Sequence, residues 1–414
     1  MNEKIAIVSM RLKYPDGVSI EAEKWAQAFR ILGYRIYYIA GEFNELDPNC
    51  IRIPEMSFDH PEVESIQQKI FAKDGHEEIG QLLVAIKNLT KRIKAKLLHE
   101  IKKHEISYLS IENALSIPMN VPLGLALFEI LREEGFIAIA RHHDLYWERD
   151  KFLDSPMEDM LSTVFPPRLK TLKHIVINSI AQKSLKSRTG IEAMLIPNSF
   201  DFNKIRTADS FNSTLRKDIG ISSTTRIFLQ PTRIIQRKKI ERSIDLISML
   251  SKHGIKDAVL LTTAGGEGSE ADYLEFIKRY SVEKNVRSIF ADNIFRITRT
   301  TAGFKKFYDA HDAYVHCDFV TLPSDTEGFG NPVIEACAYK KPLFVNRYPV
   351  LEDMLRHGFN FVLIERSVTE DAVKKTVELL EDEGLREKIA RRNYEIAREN
   401  YSFESLLEKL KSVL

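Results

Sequence analysis

Short apolar runs alternate with amphipathic stretches along almost the whole chain. In the first half, Ile5–Met10, Arg35–Ala40, Ile106–Ile111, Phe136–Ala140, His174–Asn178 and Ala193–Pro197 read as strands. Between them apolar residues recur at helical spacing, as in Glu21–Leu32 and the long stretch Glu77–His104. The scheme restarts with Arg226–Leu229, Ala258–Thr262, Val286–Phe290, Ala313–Cys317, Pro342–Val345 and Asn360–Ile364. Repeated strand–helix–strand units predict an α/β fold with parallel sheets covered on both faces. Two groups of strands predict two doubly wound domains, not one oversized sheet. The polar stretch from Asn198 to Ser223 lacks sustained periodicity and marks the expected boundary. Ligands of such sheets bind at the carboxyl ends of the strands, so the expected site is a cleft between the domains.

The segment Glu327-Gly-Phe-Gly-Asn-Pro-Val-Ile-Glu335 adds chemistry to this pattern. Asn331 suits a helix N-cap and Pro332 the first helical position. Gly328 and Gly330 let the backbone approach a ligand. The free N–H groups of the new helix, with its dipole, favour negative charge in front of them. Glu327 on the loop and Glu335 in the first turn can therefore grip two parts of one long ligand. A nucleotide-sugar has those parts: sugar hydroxyls for one carboxylate, diphosphate for the helix start, ribose hydroxyls for the other. A first-turn glutamate is also favourable with no ligand at all, so the context has to decide.

That context includes Pro231-Thr-Arg-Ile-Ile-Gln-Arg-Lys-Lys-Ile-Glu241, directly after the first strand of the second domain. Arg233 and Lys238 there are placed to hold a diphosphate and to neutralise its charge as it leaves. A solvated turn is the alternative, and it suits Arg237, Lys239 and Arg242 better than Arg233. After the next strand, Ala264-Gly-Gly-Glu-Gly268 offers Gly265 and Gly266 for close approach of a nucleotide base.

Composition narrows the field. The 414 residues suggest two or three domains, and 44% hydrophobic with 29% charged residues is ordinary for a soluble globular protein. A formal net charge of +1 gives no footprint for nucleic acid. The three cysteines, Cys50, Cys317 and Cys337, are odd in number and far apart, which fits a reducing cytosol and neither a disulfide scaffold nor structural zinc. The chain runs from Met1 straight into a strand-like stretch without a signal-peptide core, and no stretch approaches the roughly 18 apolar residues of a membrane span. A cytoplasmic protein is expected. The basic helix carrying Lys87, Lys91, Arg92, Lys94, Lys96, Lys102 and Lys103 reads as a solvated face in preference to a peripheral membrane contact.

Glu327–Glu335 together with Arg233 and Lys238 resembles the retaining glycosyltransferases of family 4, and the similarity covers nearly the whole chain. Ile196-Pro-Asn-Ser-Phe-Asp201 is similar to that family's Pro-Asn-Gly-Val-Asp segment, Pro323-Ser324 stands before the glutamate motif as the family has it, and Glu399-Asn-Tyr-Ser402 resembles the family's tail. The resemblance implies the GT-B fold: an acceptor-binding domain at 1–197, a donor-binding domain at 198–395, and a final helix, 396–414, that packs back on the first. It also implies contacts of Glu327 with the donor sugar and of Glu335 with the ribose. Backbone amides of Phe329, Gly330 and Asn331 would touch the sugar, and those of Val333 and Ile334 the phosphate. Asp16-Gly17-Val18 stands where the family has Gly-Gly, so one glycine is missing. In Arg141-His-His-Asp-Leu-Tyr-Trp-Glu-Arg-Asp150, His143 with Asp144 matches the histidine the family places near the reacting sugar. His-His-Asp also suggests a metal, but no third ligand is near in sequence. No built-in metal is expected, and Mg²⁺ would arrive with the donor.

Three function classes are compatible with such a fold: a retaining sugar transferase, a sugar-nucleotide epimerase or isomerase, and an inactive fold that binds sugar nucleotides. An epimerase does not need Glu327 and Glu335 at this spacing, and an inactive fold would be expected to have lost Glu327, Arg233 or Lys238. The transferase reading is therefore preferred. Arg11, Lys13, Arg141, His142 and Arg149 in the first domain suit a small anionic acceptor better than a neutral glucan. Ile111-Glu-Asn-Ala-Leu-Ser-Ile-Pro118 and Arg141–Asp150 are similar to the synthases of the compatible solute mannosylglucosylglycerate. That resemblance implies GDP-mannose as donor and a glucosyl-3-phosphoglycerate as acceptor, with a lipid-linked or polysaccharide acceptor as the alternative.

Overall fold

The computed structural model describes residues 3–45, 47–71, 79–264, 271–296 and 298–414. The chain forms two compact units, Met1–Ser199 with Leu406–Leu414, and Phe200–Ser405. The crossing falls just past the expected boundary, and Asn198 belongs to the first unit.

The first unit is built on seven parallel strands: β1 (Lys4–Leu12), β2 (Arg35–Phe43), β3 (Cys50–Arg52), β4 (Tyr108–Glu112), β5 (Ile137–His142), β6 (Leu172–Val176) and β7 (Ala193–Leu195). Their order across the sheet is β3-β2-β1-β4-β5-β6-β7, with the topological switch between β1 and β4. Ile5, Ala6, Ile7 and Val8 are all buried, as a strand covered by helices on both faces requires. The short β3 was not expected. Cys-Ile-Arg is too brief to show a period, and it becomes a strand only by pairing with Tyr38–Ala40 of β2.

The second unit repeats the scheme with β8 (Arg226–Gln230), β9 (Ala258–Thr262), β10 (Arg287–Phe290), a hairpin of β11 (Thr300–Ala302) and β12 (Lys305–Phe307), then β13 (Phe319–Leu322), β14 (Leu343–Asn346) and β15 (Val362–Ile364). The main sheet runs β10-β9-β8-β13-β14-β15, and its switch lies between β8 and β13. One expected strand is wrong. Ala313–Cys317 falls largely on a helix, Ala310–His316, and the strand is the next apolar run, β13. Asp309 decides the matter: its side chain caps Asp312 N–H while the Asp312 carboxylate returns the bond, a closed capping box.

The expected final helix at 396–414 is two helices, Glu383–Tyr401 and Phe403–Val413, broken at Ser402. At that break Phe200 N–H donates to Tyr401 O at 2.8 Å and Phe403 N–H to Phe200 O at 3.0 Å. The chain thus enters and leaves the second unit along adjacent, hydrogen-bonded segments.

Candidate active site

The glutamate motif follows β13 and opens the helix Asn331–Ala338. Its N-cap is Gly330, not Asn331, which occupies the first helical position, so Glu335 lies beyond the first turn. Two facts demand glycine at 330. Its φ is +99°, and a Cβ there would sit 2.1 Å from the Tyr348 hydroxyl. Tyr348 is buried, and its OH donates to Phe329 O at 3.1 Å, which fixes the turn from beneath. The side chains of Phe329, Val333 and Ile334 are buried, so only backbone from these residues can meet a ligand. The Val333 N–H already donates to Gly330 O at 2.9 Å. Gly328 is exposed at the start of the turn.

Glu327 and Lys238 form an ion pair, and Arg237 Nη1 adds a second contact to Glu327 at 3.1 Å. Side-chain exposure is 8% for Glu327 and 10% for Lys238, so the pair is largely out of water. Burial by itself would raise the Glu327 carboxyl, but Lys238 and Arg237 hold it below the usual glutamate value. Burial lowers Lys238, and the Arg237 and Arg233 charges lower it further against the pull of Glu327. Arg237, expected to be a solvated turn residue, is therefore part of the site. Arg233 is exposed and close enough for Lys238 to feel its charge, and among the described residues its guanidinium has no hydrogen bond or ion pair. Asp325 ties the neighbouring cations, with Arg242 at 2.7 Å and Lys239 at 3.5 Å.

A buried chain holds the Lys238 turn in place. Gln230, the last residue of β8, donates to Lys238 O at 2.9 Å and accepts from Ser243 Oγ at 2.7 Å. Glu335 accepts from the Tyr314 hydroxyl at 2.7 Å, leaving its other oxygen without that bond. Tyr314 is buried, and burial beside Glu335 pushes its hydroxyl well above the usual tyrosine value. Sequence reading missed Tyr314 because it lies in the helix taken for a strand.

In the first unit, His143 follows β5 and donates from Nε2 to Glu112 Oε2 at 2.8 Å, while its backbone N–H donates to Asn113 Oδ1 at 2.8 Å. Glu112 ends β4, the neighbouring strand, and was not foreseen as a partner. Arg141 is not the acceptor ligand it was expected to be. It is fully buried, donates to Glu21 Oε2 and Asn198 Oδ1 at 3.1 Å each, lies 3.7 Å from Glu112, and covers the Trp25 ring at 4.5 Å. A guanidinium taken out of water needs such partners, and Glu21 is too distant in sequence to reveal itself. Glu21 is buried in turn. Burial would raise its carboxyl, but Lys24 at 2.6 Å and Arg141 keep it below its usual value. His142 is occupied by Ser116 Oγ and by His174 at 2.9 Å, and burial holds it neutral, well below the usual histidine value.

The other expected acceptor residues are exposed to some degree but paired. Arg11 Nε donates to Asp16 Oδ2 at 3.0 Å, Lys13 pairs with Asp47, and Arg149 donates to Asp144 Oδ2 at 2.6 Å. Asp16 is also the N-cap of the helix Gly17–Ile31, accepting from Ser19 N–H at 2.9 Å, while Gly17 takes no conformation that requires glycine. Gly265 and Gly266 lie outside the described residues. Among the described residues no group of three His, Cys, Asp or Glu side chains is placed to hold a metal, and no helix is long and apolar enough to cross a membrane. The basic helix, Ile79–Lys103, is largely neutralised: Lys94 meets Glu129 and Glu133, Lys96 meets Glu55, and Lys102 meets Glu134.

Two parallel-sheet Rossmann-like units with a carboxylate and cations at the strand ends define a GT-B protein, and known proteins agree. Anabaena HepE, solved in complex with UDP and glucose, shares this fold with a TM-score of 0.67, at 16% identity over 100% of this chain and 99% of its own. Residues 211–396 match the family described as glycosyl transferases group 1. The mannosylglucosylglycerate synthase of Petrotoga mobilis is 32% identical over 87% of this chain and 86% of its own length. That of Thermotoga maritima is 30% identical over 97% of each. The chain belongs to the group 1 glycosyltransferases and is related to mannosylglucosylglycerate synthase.

Proposed function

We propose that this chain is a retaining mannosyltransferase. Its second unit takes a nucleotide-sugar, best read as GDP-mannose, and its first unit a small anionic sugar acceptor of the glucosylglycerate or glucosyl-3-phosphoglycerate type. The donor reading is carried by one observation: Lys238 is paired with Glu327 beside Arg233, a cation with no partner among the described residues. A diphosphate arriving there brings the negative charge that Arg233 lacks, and it competes with Glu327 for Lys238. Glu327, once released, is free to accept hydroxyls of the transferred sugar, and the free oxygen of Glu335 to accept from the ribose. The acceptor reading is supported by the relatives' names, and it asks an anionic acceptor to compete with Asp16, Asp47 or Asp144 for Arg11, Lys13 or Arg149.

In this mechanism the bond between the anomeric carbon and the diphosphate oxygen breaks, and the acceptor oxygen bonds to that carbon on the face the diphosphate leaves. The departing phosphate takes the acceptor's proton while Arg233 and Lys238 stabilise its charge. His143, oriented by Glu112, is the partner for a sugar hydroxyl. Any metal would be Mg²⁺ accompanying the diphosphate, not an ion held by a protein cage. The test is a melting-temperature screen of nucleotide-sugars, followed by acceptor assays with the stabilising donor. GDP-mannose should give the largest shift, and proton NMR of the product should show an α-linkage. Stabilisation by UDP-sugars alone overturns the donor assignment, and a β-linkage formed directly from an α-donor overturns retention.

A further inference from the structure

The first unit carries a concavity of about 710 Å³ whose lining includes none of the residues assigned to transfer above. Arg132, Arg168 and Arg188 line it together with Tyr146, Trp147 and Glu158. Its position follows from topology. Arg132 lies in the last turns of the helix preceding β5, Arg168 in the loop entering β6, and Arg188 in the last turn of the helix preceding β7. All three guanidiniums therefore come from segments at the amino edge of the sheet, whereas Tyr146 and Trp147 follow the carboxyl end of β5, three and four residues after His143.

The charges there are not balanced. Among the described residues Arg168 and Arg188 have no carboxylate partner, and Arg132 has only the adjacent Glu133, at 3.7 Å. The one carboxylate of the wall, Glu158, accepts from Tyr146 OH at 2.6 Å. Trp147 is fixed by its Nε1–H donating to Ser184 Oγ at 2.8 Å, and Arg188 lies 5.5 Å from its ring centroid. A half-buried indole beside unpaired guanidiniums is a surface for a sugar ring that bears an anionic group: the ring lies on the aromatic, and the charge meets the forked donors. The volume is that of a small-molecule site.

We propose that this concavity binds a phosphorylated sugar, separately from the transfer site. The chain has two tryptophans, and Trp25 is sealed in the core, so a ligand-dependent change in emission reports Trp147. The parent, an Arg168→Ala/Arg188→Ala double variant and a Lys238→Ala variant are titrated with glucose 6-phosphate, inorganic phosphate, glucose, and phosphatidylglycerol vesicles. The parent should respond saturably to glucose 6-phosphate, less to phosphate and not to glucose. Lys238→Ala should respond as the parent does, and the double variant should bind at least roughly tenfold more weakly at an unchanged melting temperature. No saturable response, an equal response to glucose, or an unaltered double variant overturns the proposal. Loss of the response in Lys238→Ala returns the ligand to the transfer site, and a response to vesicles alone makes the surface a lipid-headgroup contact instead.

Discussion

Both units place arginine, lysine and glutamate at the carboxyl ends of their strands, yet they use them differently. In the first, Arg141 and Glu21 are sealed from water and pair with each other, Arg141 also with Asn198 and Glu21 also with Lys24. Those charges are part of the framework that holds Glu112 and His143. In the second, Lys238 and Glu327 keep a few percent of exposure, and Arg233 stands beside them in solvent. Their pairing can be exchanged for a ligand. Residue type and strand position are thus alike in the two units, and burial separates structure from chemistry.

The largest expected effect breaks the framework side of this comparison. Arg141→Met takes the guanidinium away from the buried Glu21 and Glu112 and should cost ~3–5 kcal/mol, read from the urea midpoint. A loss below ~1 kcal/mol would mean that the sealed cluster is no framework, because an exposed pair is worth no more than that. On the exchangeable side, Lys238→Ala and Glu327→Gln should each leave a folded protein and lower turnover about a hundredfold, equivalent to ~3 kcal/mol. Normal turnover in either variant removes that residue from the site.

Gly330→Ala comes next. It should destabilise by ~1–3 kcal/mol, from a disfavoured φ and a collision with the Tyr348 hydroxyl. Tyr348→Phe should recover part of the loss in a double variant, and strict additivity would exclude the collision. The smallest effect is in acid. Glu21 and Glu327 both have folded carboxyls below their usual value, so each adds stability above that value and loses it as pH falls through the depressed one. Glu327→Gln should therefore flatten part of the parent's stability loss between about pH 5 and 3, in denaturation curves recorded across that window. A parallel loss in parent and variant would place the acid response elsewhere.

What could be read from the chain depended on how local each signal was. The motif from Glu327 to Glu335 and the Arg233–Lys238 spacing are contiguous, so their residue types and order were visible together. The Arg141–Glu21 pair was not, because it joins residues 120 apart through parallel strands and a helix. Arg141 consequently looked like a free cation. Asn331 was read as the N-cap and Gly330 only as a point of close backbone approach; the helix starts one residue earlier, since only the backbone shows which residue takes the positive φ. Ala313–Cys317 failed for the opposite reason: a short apolar run fits either element, and the cap at Asp309 settles it.

The return of the chain to the first unit sets an order of assembly. Phe200–Ser405 is one continuous segment whose two ends run side by side, so all of it precedes the nine residues Leu406–Leu414 along the chain. Those nine residues belong to the first unit. Leu406, Leu410 and Val413 are buried, and Lys173 donates to Val413 O. The unit that begins first along the chain is therefore the one whose segments are completed later in sequence. Until Phe403–Val413 is in place, the first unit lacks the buried side chains of Leu406, Leu410 and Val413.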